Sequence, residues 1–210
     1  MAYIDFVSEL HKKTKRDYVG RVVADSKAEC AKIAKQYGYD YWDGERKYGY
    51  GGYHYDGRWN TVARKIAEHY QLKAGDKVLD VGCGKAYLLY ELTQVVPGLI
   101  VKGIDISEYG LAHAKEEIHD CLQYGKAQEI PFEDNEFDLV ISLTTLHNLK
   151  VFDLKKAIQE IERVSKGNSY IMVESFRNDE EEVNMLYWQL TCASYYSVEE
   201  WEWLYKEWGY

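Results

Sequence analysis

Proline is almost missing from this chain: Pro97 and Pro131 are the only two in 210 residues, and no segment is of low complexity. The length suits one domain with an appended arm. A cysteine framework is missing as well. Cys30, Cys83, Cys121 and Cys192 are scattered, without close pairing or metal-ligand spacing. That argues against a disulfide scaffold and against a metal site, and no signal peptide is seen, so a reducing, cytoplasmic setting is expected. No apolar run approaches the ~18 residues of a membrane span, so no membrane partner is expected. Nor is there an excess of basic charge. With 35 acidic against 26 basic residues, a net charge of −9 and a pI near 5.2, a nucleic-acid partner is disfavoured, because phosphate binding draws on clustered Lys and Arg. The one basic run, His11 to Arg16 (HKKTKR), reads as a solvated helix face.

Aromatic and glycine residues, by contrast, are concentrated. Tyr48 to Trp59 (YGYGGYHYDGRW) sets five aromatic rings among four glycines. Such a stretch makes neither a good helix nor an ordinary strand. Before it, helices are predicted from Ile4 to about Tyr18 and, behind a Ser26/Glu29 capping box, to about Tyr37. After it, a helix from Asn60 to Tyr70 leads into alternating strands and helices. The strands are KVLDVG, LIVKGID, a weak CLQYG, FDLVISLTT and SYIMVES. The helices between them include one capped by Ser107, and the last opens on a second capping box, Ser197 and Glu200. Short, continuously apolar strands separated by helices imply a parallel sheet covered on both faces.

The most informative turn is VLDVGCGKA, Val78 to Ala86, at the end of the first strand. Gly82 and Gly84 allow a sharp turn whose backbone N–H groups and following helix N-terminus face a ligand directly. Alone, this is also what any tight strand-to-helix turn looks like. Asp80, two residues before Gly82, can order the turn or meet a cationic group. Asp105 ends the second strand, where a carboxylate can accept both hydroxyls of a ribose. A nicotinamide dinucleotide is disfavoured, because its fingerprint wants a small residue where this chain has the bulky Tyr87.

With VLDVGCGKA, GIDIS, IPFEDNEFDLVIS followed by LHNL, and EIERV in this order over Lys77 to Ser175, the chain resembles the class I S-adenosylmethionine-dependent methyltransferases. The resemblance implies a Rossmann-like three-layer α/β sandwich with strand order 3-2-1-4-5. It also implies S-adenosylmethionine as cofactor, held by Asp80, Gly82, Cys83 and Gly84 at the methionine end and by Asp105 at the ribose. Ile106 would lie against the adenine, Ala127 and Gln128 at its edge, and Ser142 near the cofactor. Three departures stand out. Ala86 replaces a third glycine, and Lys126 stands where many members carry an acid. The family also usually closes its sheet with an antiparallel hairpin, for which no residues remain before Tyr210. The chain is then either shortened, or that edge is missing or supplied by another chain.

Methyl transfer needs an aligned nucleophile, exclusion of water and, for an oxygen acceptor, removal of a proton. His147, after the fourth strand, and His54 are the candidate bases; His147 or Asn148 can equally be caps of the following turn. Asn148, Glu174 and Gln189 are candidate substrate contacts. Tyr48, Tyr50, Tyr53, Tyr55 and Trp59 are read as an aromatic lid, with Arg58 free to pair with a carboxylate; the plainer alternative is a loop that packs on the domain. The expected organisation is an arm and lid over residues 1–60 and a cofactor-binding domain over 61–210. The expected activity is methylation of a small polar acceptor, at oxygen of a hydroxylated or sugar-like molecule. A nitrogen methyltransferase, or a non-catalytic cofactor-binding or assembly protein, is the alternative. A homodimer is compatible with either.

Overall fold

The computed structural model describes residues 2–11 and 17–210. Its centre is a sheet of five strands: β1 (Lys77–Val81), β2 (Ile100–Asp105), β3 (Leu122–Tyr124), β4 (Leu139–Leu143) and β5 (Ser169–Met172). All pairings between these strands are parallel, as the apolar runs predict, and the order is 3-2-1-4-5, as the resemblance implies. Four short helices precede the sheet: α1 (Ser8–His11), α2 (Tyr18–Ala24), α3 (Lys27–Ala34) and α4 (Tyr39–Trp42). Then α5 (Asn60–His69) enters β1, α6 (Tyr87–Val95) leaves it, α7 (Glu108–Ala112) follows β2 and α8 (Val151–Val164) follows β4. Last come α9 (Asp179–Trp188) and α10 (Val198–Trp208).

Side chains alternate across a strand, so each central strand feeds two layers. Val78, Leu139 and Ile141 enter one core with Ile66 of α5 and Leu89 and Leu92 of α6. Leu79, Val81 and Val140 enter the other with Leu154, Ile158 and Ile161 of α8 and Trp201 and Leu204 of α10. The buried face of α8, Leu154, Ala157, Ile158, Ile161 and Val164, has the spacing of an amphipathic helix, which is why that segment was legible. Ser197 and Glu200 form both halves of the capping box of α10. At α3 only the Ser26 half is made, its hydroxyl accepting from the Glu29 N–H.

Several segments differ from expectation. Residues 2–7 are not helical and α1 has only four residues, while Lys12 to Arg16 lie outside the described residues. The Ser107-capped helix stops at Ala112, and a 3-10 turn covers Glu116–Cys121. α2, α4 and α9 were not anticipated; they are short, or polar in the first turn, so their periodicity is weak. Among the described residues no strand follows β5, and none of the helices is long and apolar enough to cross a membrane. The Tyr210 hydroxyl meets the outer edge of β5 instead, accepting from Ile171 N–H and donating to the Ser169 carbonyl, each at 3.2 Å, beside a cavity of about 850 Å³.

One side chain fixes the loop that enters β4. The Arg163 guanidinium donates to the carbonyls of Ile130 and Phe132, both at 2.9 Å, and to the carboxylates of Glu160 and Asp134. Glu160 in turn accepts from the Ile130 N–H at 2.9 Å. Arg163→Ala is expected to lower stability by ~1–3 kcal/mol, because charge-assisted bonds to backbone carbonyls are lost together. A fall in the urea midpoint at unchanged slope checks this.

Candidate active site

Beyond the carboxyl ends of β1, β2 and β4 lies a cavity of about 620 Å³, in the crevice where open parallel sheets bind ligands. Its floor is bare backbone, and the crowding shows why. A Cβ at Gly82 (φ +82) would stand 2.1 Å from Thr145 Oγ1, and one at Gly84 (φ +57) 2.5 Å from the Trp42 ring. Ala86, where the third glycine was missed, takes φ +53, the left-handed conformation a glycine would adopt without strain. Thr144 at φ +54 is a β-branched residue in the same region, and it lines the cavity. Strain of this kind persists where the surroundings over-determine the backbone, commonly at binding sites.

Two carboxyl groups face this floor. Asp80 is 4% exposed, and its Oδ1 has no hydrogen-bond partner among the described residues. Burial, reinforced by the neighbouring Asp105, pushes its pKa up to about 8. Asp105 accepts from the N–H groups of Gly84 and Ser107, both at 2.7 Å, one on each oxygen. Its pKa is raised by burial, against the pull of those amides. A carboxylate has about four lone-pair positions, so each oxygen retains acceptor capacity.

The cover is aromatic, but only partly the rings expected. Tyr50, Tyr53 and Trp59 line the cavity, joined by Tyr37, Tyr41, Trp42 and Tyr87. Trp42 stacks on Tyr50 at 5.3 Å with an interplanar angle of 5°, and Tyr53 stacks on Tyr87 at 5.3 Å. The Trp59 indole donates to the Tyr53 hydroxyl at 2.7 Å. Burial holds Tyr37 at about 12 and raises Tyr41 and Tyr50, so these phenols stay protonated donors near neutrality. Tyr48 instead packs against Cys30, Ala34 and Leu190, and Tyr55 donates to Glu91 at 2.6 Å. Arg58 is paired with Asp56 on the surface and does not line the cavity.

Of the residues assigned to the cofactor, Asp80, Gly82, Cys83, Gly84, Asp105, Ile106, Ala127 and Gln128 all line the cavity, as does Lys126. Ser142 does not; its hydroxyl is fully buried against the Val81 carbonyl at 2.8 Å. The candidate bases require correction on geometry. His147 is 2% exposed and off the cavity, its Nδ1 accepting from the Glu174 N–H at 3.3 Å and its carbonyl from the N–H groups of Ala193 and Ser194. Burial pulls its pKa down to about 3, so it is a neutral brace between β4, the end of β5 and the segment before α10. His54 is exposed and also off the cavity, as are Glu174 and the buried Gln189. Asn148 does line it. The Asn148 Nδ2 donates to the Thr144 carbonyl at 3.3 Å, which fixes the amide orientation, and its buried Oδ1 has no partner among the described residues.

Sequence reasoning missed Tyr37, Tyr41 and Trp42, although YGYDYW is as aromatic as the glycine-rich stretch that follows it. It also passed over Lys85, buried at 2% exposure inside the turn motif itself, where an unpaired lysine would be costly.

A family profile described as a methyltransferase domain matches residues 72–209. A demethylmenaquinone methyltransferase of Symbiobacterium thermophilum is 34% identical over 128 residues, covering 57% of this chain and 50% of the relative. Another, of Bacillus cytotoxicus, is 36% identical over 125 residues, covering 56% and 51%. The chain thus spans about half the length of the curated relatives it matches. A solved SAM-dependent methyltransferase from Aquifex aeolicus shares the fold with a TM-score of 0.51 at 21% identity, over 93% of this chain and 89% of that one. Strand order, bare glycine turn and matched profile agree: the chain belongs to the methyltransferase-domain family of class I S-adenosylmethionine-dependent methyltransferases.

Proposed function

We propose that the chain transfers a methyl group from S-adenosylmethionine to a small hydroxylated acceptor enclosed under its aromatic cover, with residues 1–60 as arm and lid and 61–210 as the cofactor domain. The observation that carries this is the Asp80 carboxyl: buried, without a partner at Oδ1, and facing the cavity beside bare glycine backbone. A buried polar atom left unpaired calls for a ligand donor, and the ammonium of the cofactor's methionine moiety is one. Asp105 would take the ribose hydroxyls on its remaining lone pairs, Ile106 would support the adenine, and Ala127 and Gln128 would flank its edge. The amides of the glycine turn face the same berth. When bound, the cofactor supplies an electrophilic methyl on a sulfonium.

On the acceptor side, Tyr37, Tyr41 and Tyr50 offer ring faces and neutral hydroxyls, and the unpaired Asn148 Oδ1 would accept from an O–H or N–H of the acceptor. The lid excludes water and holds the acceptor in line. We place the chain in the reducing, cytoplasmic setting that its scattered cysteines suggest. A second reading is favoured by one observation: neither histidine reaches the cavity. An acceptor whose nucleophile needs no base, an amine or an acidic hydroxyl on a ring, would then suit the site. The names of the curated relatives make a quinone-type ring a member of that class worth testing. His54→Ala with His147→Gln, assayed by S-adenosylhomocysteine release over a panel of sugars, phenols, reduced quinones and amines, separates the readings. Turnover within ~3-fold of wild type is expected, since general-base loss would instead cost ~10²–10⁴-fold.

Cofactor binding is the direct test. Asp105→Ala should weaken calorimetric S-adenosylhomocysteine binding by at least ~10-fold, the equivalent of one charged hydrogen bond or more. The Asp80 carboxyl carries a pH signature. Its folded pKa of about 8 lies above the ordinary carboxylate value, so ionising it to meet an ammonium releases a proton below that pH. Affinity should therefore rise from pH 6 to 8, by up to ~10-fold per pH unit, and Asp80→Asn should abolish the slope. In the ligand-free chain the sign reverses. The Asp80 contribution to stability is full below pH ~4 and declines as pH rises towards 8, a decline that Asp80→Asn removes from the pH dependence of the thermal melt.

A further inference from the structure

Lys85 follows the second glycine of the cofactor turn, yet its ammonium is spent on the arm. Its Nζ donates to both carboxylate oxygens of Asp43, at 2.8 and 2.7 Å, and to the Tyr53 carbonyl at 2.8 Å. Asp43 also accepts from the Tyr53 N–H at 3.0 Å and from the Tyr109 hydroxyl at 2.8 Å. Burial would raise the Asp43 pKa, but Lys85 and these donors outweigh it and hold it at about 2. Four segments meet at this point: the end of α4, the glycine-rich stretch, the cofactor turn and α7. The preceding residue repeats the connection. The Trp42 ring lies against Gly84, and its indole donates to the Ser107 hydroxyl at 2.8 Å, two residues beyond Asp105.

We propose that Asp43 and Lys85 are positioning residues: their buried ion pair docks the aromatic segment 37–59 onto the cofactor turn, so that cofactor binding and lid docking form one coupled equilibrium. The proposal rests on reading the cavity as the cofactor berth. Its physical basis is that Lys85 is anchored in the turn whose backbone faces the cofactor, while Asp43 belongs to the cover. The Lys85 side chain is buried and that of Asp43 largely so, with exposures of 2% and 12%, so the pair does not separate without penalty unless both regain water. Ligand contacts that order the turn therefore favour the docked cover, and a docked cover favours the ligand by the same factor.

The test uses the full chain, with S-adenosylhomocysteine as the probe. Its affinity is measured by calorimetry, and chymotrypsin cleavage between Tyr48 and Trp59 is followed with and without saturating probe. In the wild-type chain the probe should slow cleavage at these sites ~5-fold or more, the lower bound of ordinary coupling. Lys85→Met and Asp43→Asn should each weaken binding within the ~5–150-fold range of such coupling and remove the protection even at matched saturation. Tyr109→Phe deletes one bond to Asp43 without unpairing a charge. It should weaken binding and protection together by ~3-fold or more, about the worth of one hydrogen bond, and it decides the matter if the charge variants do not fold. Tight probe binding by these variants, within twofold of wild type, or cleavage that ignores the probe in the wild-type chain, overturns the latch alone. A wild-type chain that does not bind the probe overturns the latch and the cofactor reading together.

Discussion

Two buried aspartates at the ends of adjacent parallel strands set the terms for everything else in this molecule. Asp80 stands in β1 opposite Gly103 of β2, and Asp105 closes β2. Buried carboxyl groups at such a distance oppose each other's ionisation, and the chain resolves this unequally. Asp105 is given two backbone amides, while Asp80 keeps its proton and an oxygen that no group among the described residues meets. A buried carboxyl oxygen left in this way is costly until a donor reaches it. The bare glycines, the strained Thr144 and the aromatic cover all border the same cavity.

The sheet was legible because its determinants are local. A continuous apolar run between helices implies a strand buried on both faces, and β1 and β4 are such runs. The glycine turn and Asp105 were legible because backbone turns of that geometry tolerate few residue types. His147 was misread for the opposite reason. Nothing within LHNL reveals that the Glu174 amide and the segment at 193–194 will close over the ring, since both lie far along the chain. A histidine near a strand end is catalytic only if the tertiary structure leaves it open, and here it does not.

The cover shows a third kind of legibility. That an aromatic segment would lie over the site followed from glycine and tyrosine sharing one stretch. Which rings would face inward did not, because a loop without periodicity has no face until it docks. Tyr48 and Tyr55 turn to the flanks and find partners there, and their places are taken by Tyr37, Tyr41 and Trp42 from and around a four-residue helix too short to leave a pattern. The alternation of Gly and Tyr describes pliability; the stacking of Trp42 on Tyr50 and of Tyr53 on Tyr87 describes the form it settles into.

Tyr87 joins these threads. As a sequence feature it was only a negative sign, too large for the position where dinucleotide-binding turns keep a small residue. In the structure its hydroxyl donates to the Tyr53 carbonyl at 3.3 Å, the same oxygen that Lys85 reaches. Lys85 and Tyr87, the second of which breaks the dinucleotide pattern, thus hold one point of the cover. A small residue at position 87 brings helix and strand together for a pyrophosphate. A large one gives up that approach and offers a ring and a hydroxyl on which an aromatic segment can rest. The departure from the dinucleotide fingerprint is therefore the means by which this turn acquires its aromatic cover.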